Sequence, residues 1–265
     1  HRDHAAVTQR TLLVAAVATL LLAVNRAPAP IALAFAAVAL ACAAGFIRRS
    51  RHAPRPIIDL GLFARPGFAA LNLSNAVVGF AGFSVLLLVP FYLARSAGLA
   101  PVMLGLVLAT GPAGGMAGAW MGGPAVERHG ARAVLAAGAA ITSAGLFAIA
   151  LWGAGTAWPL LVGALLLQGL GVGLFTLAYT DSVTAAMRRE DRGVAGSLTM
   201  LTRTFGVVSA ASLLTLVFGA TEAAMLAQGR AAPDAFLAAF GRAFLLGGAL
   251  PLLVLPLLRR RSGWR

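Results

Sequence analysis

The sequence predicts an all-α integral membrane protein with eight transmembrane helices. Three observations carry that expectation. The chain of 265 residues is 60% hydrophobic and only 11% charged, whereas a soluble domain is about 45–50% apolar and about 25% charged. A water-soluble fold of this length has too little polar surface to cover so much apolar side chain. Apolar runs recur along the chain, and eight of them are long enough for a helix to cross the roughly 30 Å of hydrocarbon in a bilayer. The formal net charge of +13 comes from 21 arginines with no lysine, and they gather between alternate runs. Closed β-barrels are the only other spanning solution, but they need strands of alternating polarity. These runs are apolar on every side.

In order, the runs are 8–25, 30–47, 67–93, 100–122, 132–152, 157–180, 195–219 and 236–258. The first has the shortest apolar core. It counts as a span because losing it would break the alternation of charge between loops. One set of loops holds sixteen arginines, from Arg2 and Arg10 to Arg261 and Arg265, while the other holds only Arg26, Arg95 and Arg230. That asymmetry follows the positive-inside rule and places both chain ends on the cytoplasmic side of a plasma (inner) membrane. A basic nucleic-acid face would not interleave with apolar runs, so the expected partner is the lipid bilayer and not nucleic acid.

The organisational break falls at residues 48–66, RRSRHAPRPIIDLGLFARP. Pro54 and Pro56 stop a helix there, and IIDLGLF suits a short interfacial segment in a cytoplasmic linker. Residues 1–47 thus hold two helices, 67–258 hold six, and 259–265 form a basic cytoplasmic tail. The chain opens on His1 within a charged segment, and a longer natural protein is expected upstream.

Soluble-enzyme chemistry is not expected. A phosphate-cradling loop ending in Gly-Lys is impossible without lysine. In LQGLGVGLFT, Thr176 stands where a dinucleotide fingerprint needs its third glycine. There is no Gly-x-Ser-x-Gly elbow. His1, His4, His52 and His129 are scattered, and Cys42 stands alone in an apolar run, so neither a metal site nor a disulfide is indicated. The reading is of a protein without enzymatic activity, cofactor or metal.

Glycine is abundant, with 31 residues. Gly111 with Gly115 and Gly118 with Gly122 form small-xxx-small pairs in run 100–122. Gly169, Gly171 and Gly173 crowd run 157–180. Such residues let helix backbones approach in lipid. They serve either sliding helices in a moving transporter or static close packing.

Between two apolar runs lies GGPAVERHGAR, with an acid, two arginines and a histidine. The loop alternation makes 123–131 a short cytoplasmic turn. Gly123 and Gly130 permit tight or positive-φ backbone at its two ends. Glu127 can pair with Arg128 or Arg132, or face the positive N-terminal end of a neighbouring helix. Such a carboxylate would clasp two helix bundles together.

Gly123-x-x-x-Glu127-Arg128-x-Gly130-x-Arg132 resembles the signature loop of the major facilitator superfamily, which joins the second and third helices of each six-helix half. Here it joins the second and third helices after the break at 48–66. Glu127 replaces the usual aspartate, and Ala131 replaces a basic residue. PIIDLGLF, LLLVPFYL, AGLAPVMLGLVLATGP, LQGLGVGL and DRGVAGSLTMLTRTFG resemble the C-terminal part of the fourteen-spanner drug:proton antiporters. The resemblance covers residues 8–258. It implies a major-facilitator-type C-terminal six-helix bundle plus two preceding linking helices. It also implies a missing N-terminal six-helix half as partner, and a small-molecule substrate exchanged for protons by rocking of the halves.

The resemblance places a substrate cavity at mid-membrane, walled by the first, second, fourth and fifth helices of this half. Polar residues at depth supply candidates. Asn72, Asn75, Gly79, Gly82 and Phe83 share one helical stripe. Gln168 lies at the centre of its run, with Phe175, Thr176 and Tyr179 near its face. Arg203, Gly206 and Ser209 follow in the next run. Gln168 needs a partner at this depth, either a hydrogen bond to another helix or a cavity group. Arg203 either snorkels or steadies a gate against the missing half, and the gating role is favoured. No carboxylate falls at mid-membrane, so a proton carrier is expected in the missing half, with Asp181 an outside candidate. A metabolite or peptide exporter, and a non-transporting membrane scaffold, remain as alternatives.

Overall fold

The structure is a computed structural model that describes residues 66–186 and 192–259. The two linking helices, nearly all of the linker and the basic tail lie outside the described residues, as do Arg188 and Arg189. Six helices follow one another, namely α1 Pro66–Arg95, α2 Pro101–His129, α3 Ala131–Ala150, α4 Trp158–Ala186, α5 Arg192–Ala227 and α6 Ala232–Arg259. All six are long and apolar enough to cross a membrane. Short connections make the helices run alternately up and down. The side holding the α2–α3 corner, the start of α5 and the end of α6 is called the basic end below, after its arginines.

Two expected boundaries are corrected. The turn at 123–131 is not a turn, because α2 continues through Pro124 to His129. Proline is compatible with helical φ, and helices in lipid tolerate the lost hydrogen bond. Ala125–His129 then continue the helix until one glycine breaks it. The long connection expected at 220–235 is also mostly helical, since α5 runs to Ala227 and α6 starts at Ala232. The 36 residues of α5 span about 54 Å, more than the roughly 30 Å hydrocarbon layer, so apolarity alone did not mark its end.

α4 is the centre of the bundle. On one side its Gly169 and Gly173 lie directly on the carbonyls of Gly111 and Gly115 in α2, so closely that no Cβ fits. Gly114 and Gly118 of α2 return the contact against the Leu166 and Leu170 carbonyls. On another side, Gly138 and Gly145 of α3 meet Phe175 and Gln168, where a Cβ would fall 2.6 Å from Phe175 N and from Gln168 Cα. The glycines named from the sequence are therefore at the seam. Gly111 and Gly115 act as the surface received by α4, because a side chain on Gly111 would itself meet nothing within 4 Å.

α1 crosses α5 at Ala76 and Gly206, and Gly79 packs on the Arg203 backbone, 3.1 Å from its carbonyl oxygen. At the end away from the basic end, aromatic rings join α1, α3 and α6. Tyr92 stacks on Phe240 at 5.0 Å and tilts against Trp152 at 5.1 Å, and Phe240 meets Phe244 at 4.6 Å. Tyr92 donates to the Gly153 carbonyl at 2.8 Å, so its one polar atom is satisfied inside an apolar cluster. Phe218 of α5 meets Phe236 edge-on at 5.4 Å.

α2 and α5 are the least covered helices. In their most apolar 18-residue windows only 17% and 22% of residues are buried, against 44–50% in the other four. Along α2, Gly105, Ala109, Ala113 and Ala117, one every fourth residue, are exposed, as are Val102, Leu106, Met116 and Trp120.

Candidate functional site

The signature residues gather at the α2–α3 corner. Gly123, Glu127 and Arg128 ride on the last two turns of α2, Gly130 is the single break, and Arg132 lies in the first turn of α3. Gly130 adopts φ 82° and ψ 150°, a conformation open in practice to glycine alone. Its N–H donates to the Val126 carbonyl at 2.8 Å, and its own carbonyl accepts from Val134 N at 3.3 Å. One residue thus closes α2 and opens α3. Gly123 does not need positive φ, as it lies within α2 and a Cβ there would meet nothing within 4 Å. Glu127 and Arg128 are exposed at the helix end, and Arg132 is half-buried.

The cavity candidates divide into two groups. Asn72, Asn75 and Tyr179 come together between α1, α4 and α5, each at most 6% exposed. The Tyr179 hydroxyl donates to Asn72 Oδ1 at 3.0 Å, while Asn72 Nδ2 donates to its own helix at the Phe68 carbonyl, 2.9 Å away. Asn75 Nδ2 donates across to α5, to Thr202 Oγ1 at 2.8 Å and the Thr199 carbonyl at 3.0 Å. These groups satisfy one another, as buried polar groups in an apolar medium must.

Phe83, Thr176 and Ser209 form the second group and are only partly covered. Phe83 packs on the apolar core beside α1. The Thr176 carbonyl accepts from Thr180 Oγ1 at 2.9 Å. Arg203 presents an exposed side chain, although its backbone is pressed against Gly79. Gln168 is 5% exposed and lies in the α3–α4 seam against Gly145. Among the described residues, Ser143 Oγ is the enclosed side-chain polar atom left without a hydrogen bond.

Thr199 and Thr202 were not read from the sequence. The available signal was their spacing, since with Gly206 they form a small or polar i, i+3, i+7 stripe in an apolar helix. The described acids sit near helix ends: Glu127 and Asp181 are exposed, Asp234 lies in the first turn of α6, and Glu222 lies in the last two turns of α5.

Six membrane-length helices, packed through glycine, define part of a multi-pass membrane protein. The family model for sugar (and other) transporters matches residues 70–255. The chain belongs to that family, within the major facilitator superfamily, and its relatives are transporters rather than enzymes. It is 31% identical over 146 residues to the riboflavin transporter RibZ of Clostridioides difficile (strain 630), covering 55% of this chain and 32% of that one. It is 30% identical over 168 residues to the tetracenomycin C resistance and export protein of Streptomyces glaucescens, covering 63% and 31%. With the multidrug efflux pump LfrA of Mycolicibacterium smegmatis the identity is 25% over 165 residues, covering 62% and 32%. The chain spans about a third of the length of these curated relatives. The crystal structure of a D-xylose-proton symporter shares the fold, with a TM-score of 0.57 at 19% identity over 73% of this chain and 47% of that chain.

Proposed function

We propose that the chain is the C-terminal portion of a secondary-active exporter that moves drugs or other small amphipathic compounds out of the cell in exchange for protons, by alternating access. The uncovered flank of α2 and α5 carries this reading. Lipid tails are served by large apolar side chains, whereas a stripe such as Gly105, Ala109, Ala113 and Ala117 suits the close approach of another helix. A second six-helix bundle would cover it and complete a cavity with Phe83, Thr176, Ser209 and Gln168. The exporters among the relatives favour this substrate class. RibZ supports a second reading, a transporter of a metabolite.

The arginine asymmetry supports a plasma-membrane orientation with the basic end in the cytoplasm. There Glu127, with Arg128 and Arg132, would clasp the second bundle, and the exposed Arg203 of α5 would steady it as a gate. Proton carriage belongs in the other half, because the described acids stand near helix ends.

The test uses inverted membrane vesicles with an acidified lumen and a fluorescent cationic drug in the medium, followed as drug uptake with and without a protonophore. Proton-dependent drug movement by the full chain with its N-terminal half is the expected result, and movement indifferent to the protonophore would remove the coupling. In this assay Glu127→Gln is expected to lower transport about tenfold, the equivalent of one charge-assisted contact. Membrane insertion should be unchanged. Normal transport by that variant would remove the clasp. Gln168→Leu is expected to keep its membrane abundance within about twofold, while the ranking of transported drugs changes. A fall in abundance with an unchanged ranking would make Gln168 a packing residue.

A further inference from the structure

The hydrogen-bonded cluster around Tyr179 has an asymmetric setting. Toward the basic end, hydrogen bonds tie α1 to α4 and α5: Tyr179 to Asn72 at 3.0 Å, and Asn75 to Thr202 and Thr199 at 2.8 and 3.0 Å, with Phe68 and Leu71 buried beside them. Next along α1 comes the close crossing of Ala76 and Gly79 with Gly206 and Arg203, made by backbone and the Arg203 stem. Beyond it, α1 is fixed by apolar contact through Tyr92, Trp152, Phe240 and Phe244.

These two attachments differ physically. Amide and hydroxyl groups can exchange their partners for water entering from the membrane face at little cost. Buried aromatic packing has no such substitute in water. Between them, Gly79 and Gly206 bring the two backbones to their closest approach, a narrow contact about which one helix can tilt on the other.

We propose that the Tyr179–Asn72 and Asn75–Thr202 hydrogen bonds form a reversible latch, fastening the basic-end half of α1 to α4 and to α5. When it parts, α1 swings open from the basic end about the Gly79–Gly206 crossing, and the aromatic end stays fixed. Tyr179 is a positioning residue in this arrangement, as are Asn72, Asn75, Thr199 and Thr202. The latch rests on the packing of this bundle and holds whatever the cargo.

The test follows thiol labelling in the full chain in membranes, with Cys42→Ala as background. Leu71→Cys, at a position 1% exposed beside the latch, reports the basic end, and Leu93→Cys, at a position 0% exposed, reports the aromatic end. With the latch intact, a membrane-permeant maleimide should label position 71 faster than position 93. Tyr179→Phe should accelerate labelling at position 71 about threefold to tenfold, the scale of one or two interhelical hydrogen bonds in lipid, and leave position 93 unchanged. Thr202→Val removes the Asn75 acceptor with less change of shape and is read in the same way should Tyr179→Phe not insert. Equal labelling of the two positions in the intact latch would overturn the proposal. So would an effect of the variant at both positions or at neither. The readout is independent of transport, so an inactive chain with a working latch, or the reverse, is recognised as such.

Discussion

Gly173→Leu is expected to prevent assembly of the six-helix bundle. A Cβ at this position already collides with the Gly115 carbonyl and lies 2.9 Å from Ala119 N. Both obstacles are backbone, so no rotamer change relieves them. α2 and α4 must separate, and the neighbouring contacts of Gly169 with Gly111 and of Gly118 with Leu170 are lost along the same seam. Overpacking typically costs about 1–3 kcal/mol, and a backbone collision at the centre of the bundle belongs at the top of that range. Detergent-extracted monodisperse protein should fall at least about tenfold, the equivalent of about 1.4 kcal/mol. Gly163→Leu, in the same helix where a Cβ meets nothing within 4 Å, should extract as the parent does. A stable, monodisperse Gly173→Leu protein would mean that the glycine seam does not hold α4 in place.

The α2–α3 corner gives the second large effect. Gly130→Ala forces a side chain into φ 82°, ψ 150°, a conformation that costs a non-glycine residue about 1–3 kcal/mol. Relieving that strain means re-angling α3 against α2, which moves Arg132 away from Glu127 and Arg128. The thermal midpoint should fall by roughly 3–10 °C, since 1 kcal/mol shifts a chain of this size by about 2–4 °C. Gly123→Ala, seven residues earlier in the same motif, should leave the midpoint unchanged or raise it, because alanine favours a helix that glycine weakens. Equal loss in the two variants would show that the corner depends on the motif's glycines in general and not on the backbone angle of Gly130.

The contrast between Gly123 and Gly130 shows how far the sequence can be read. Both were expected to shape a turn, because a glycine records permission for unusual backbone and not its use. Only the course of α2 through Pro124 separates the glycine that uses it from the one that does not. The same limit applies to Asn72, Asn75 and Tyr179. Their helical spacing marked a polar stripe at depth, but a stripe does not reveal whether its groups meet a substrate or one another. The structure turns them toward each other and toward Thr199 and Thr202, which the sequence reading passed over. Gln168 shows the same limit: its sequence marked a polar group at depth, and only the packing puts it in the α3–α4 seam against Gly145.

The sequence by itself determined that this chain spans a membrane and where six of its spans lie, because burial in lipid depends on residue type and length, and both are written along the chain. It also determined that helices approach closely at Gly118, Gly169 and Gly173, since lipid-embedded backbones touch only where side chains are small. Tertiary structure alone decided that α2 runs on to His129, that Gly130 carries the whole corner, that α4 lies between α2 and α3, and that Asn72 and Asn75 tie α1 to α4 and α5. Those outcomes depend on which faces meet across long separations in sequence, and in a chain so uniformly apolar many pairings bury the same kind of surface. The choice among them is made by the fit of backbones and by hydrogen bonds that exist only after the helices have packed.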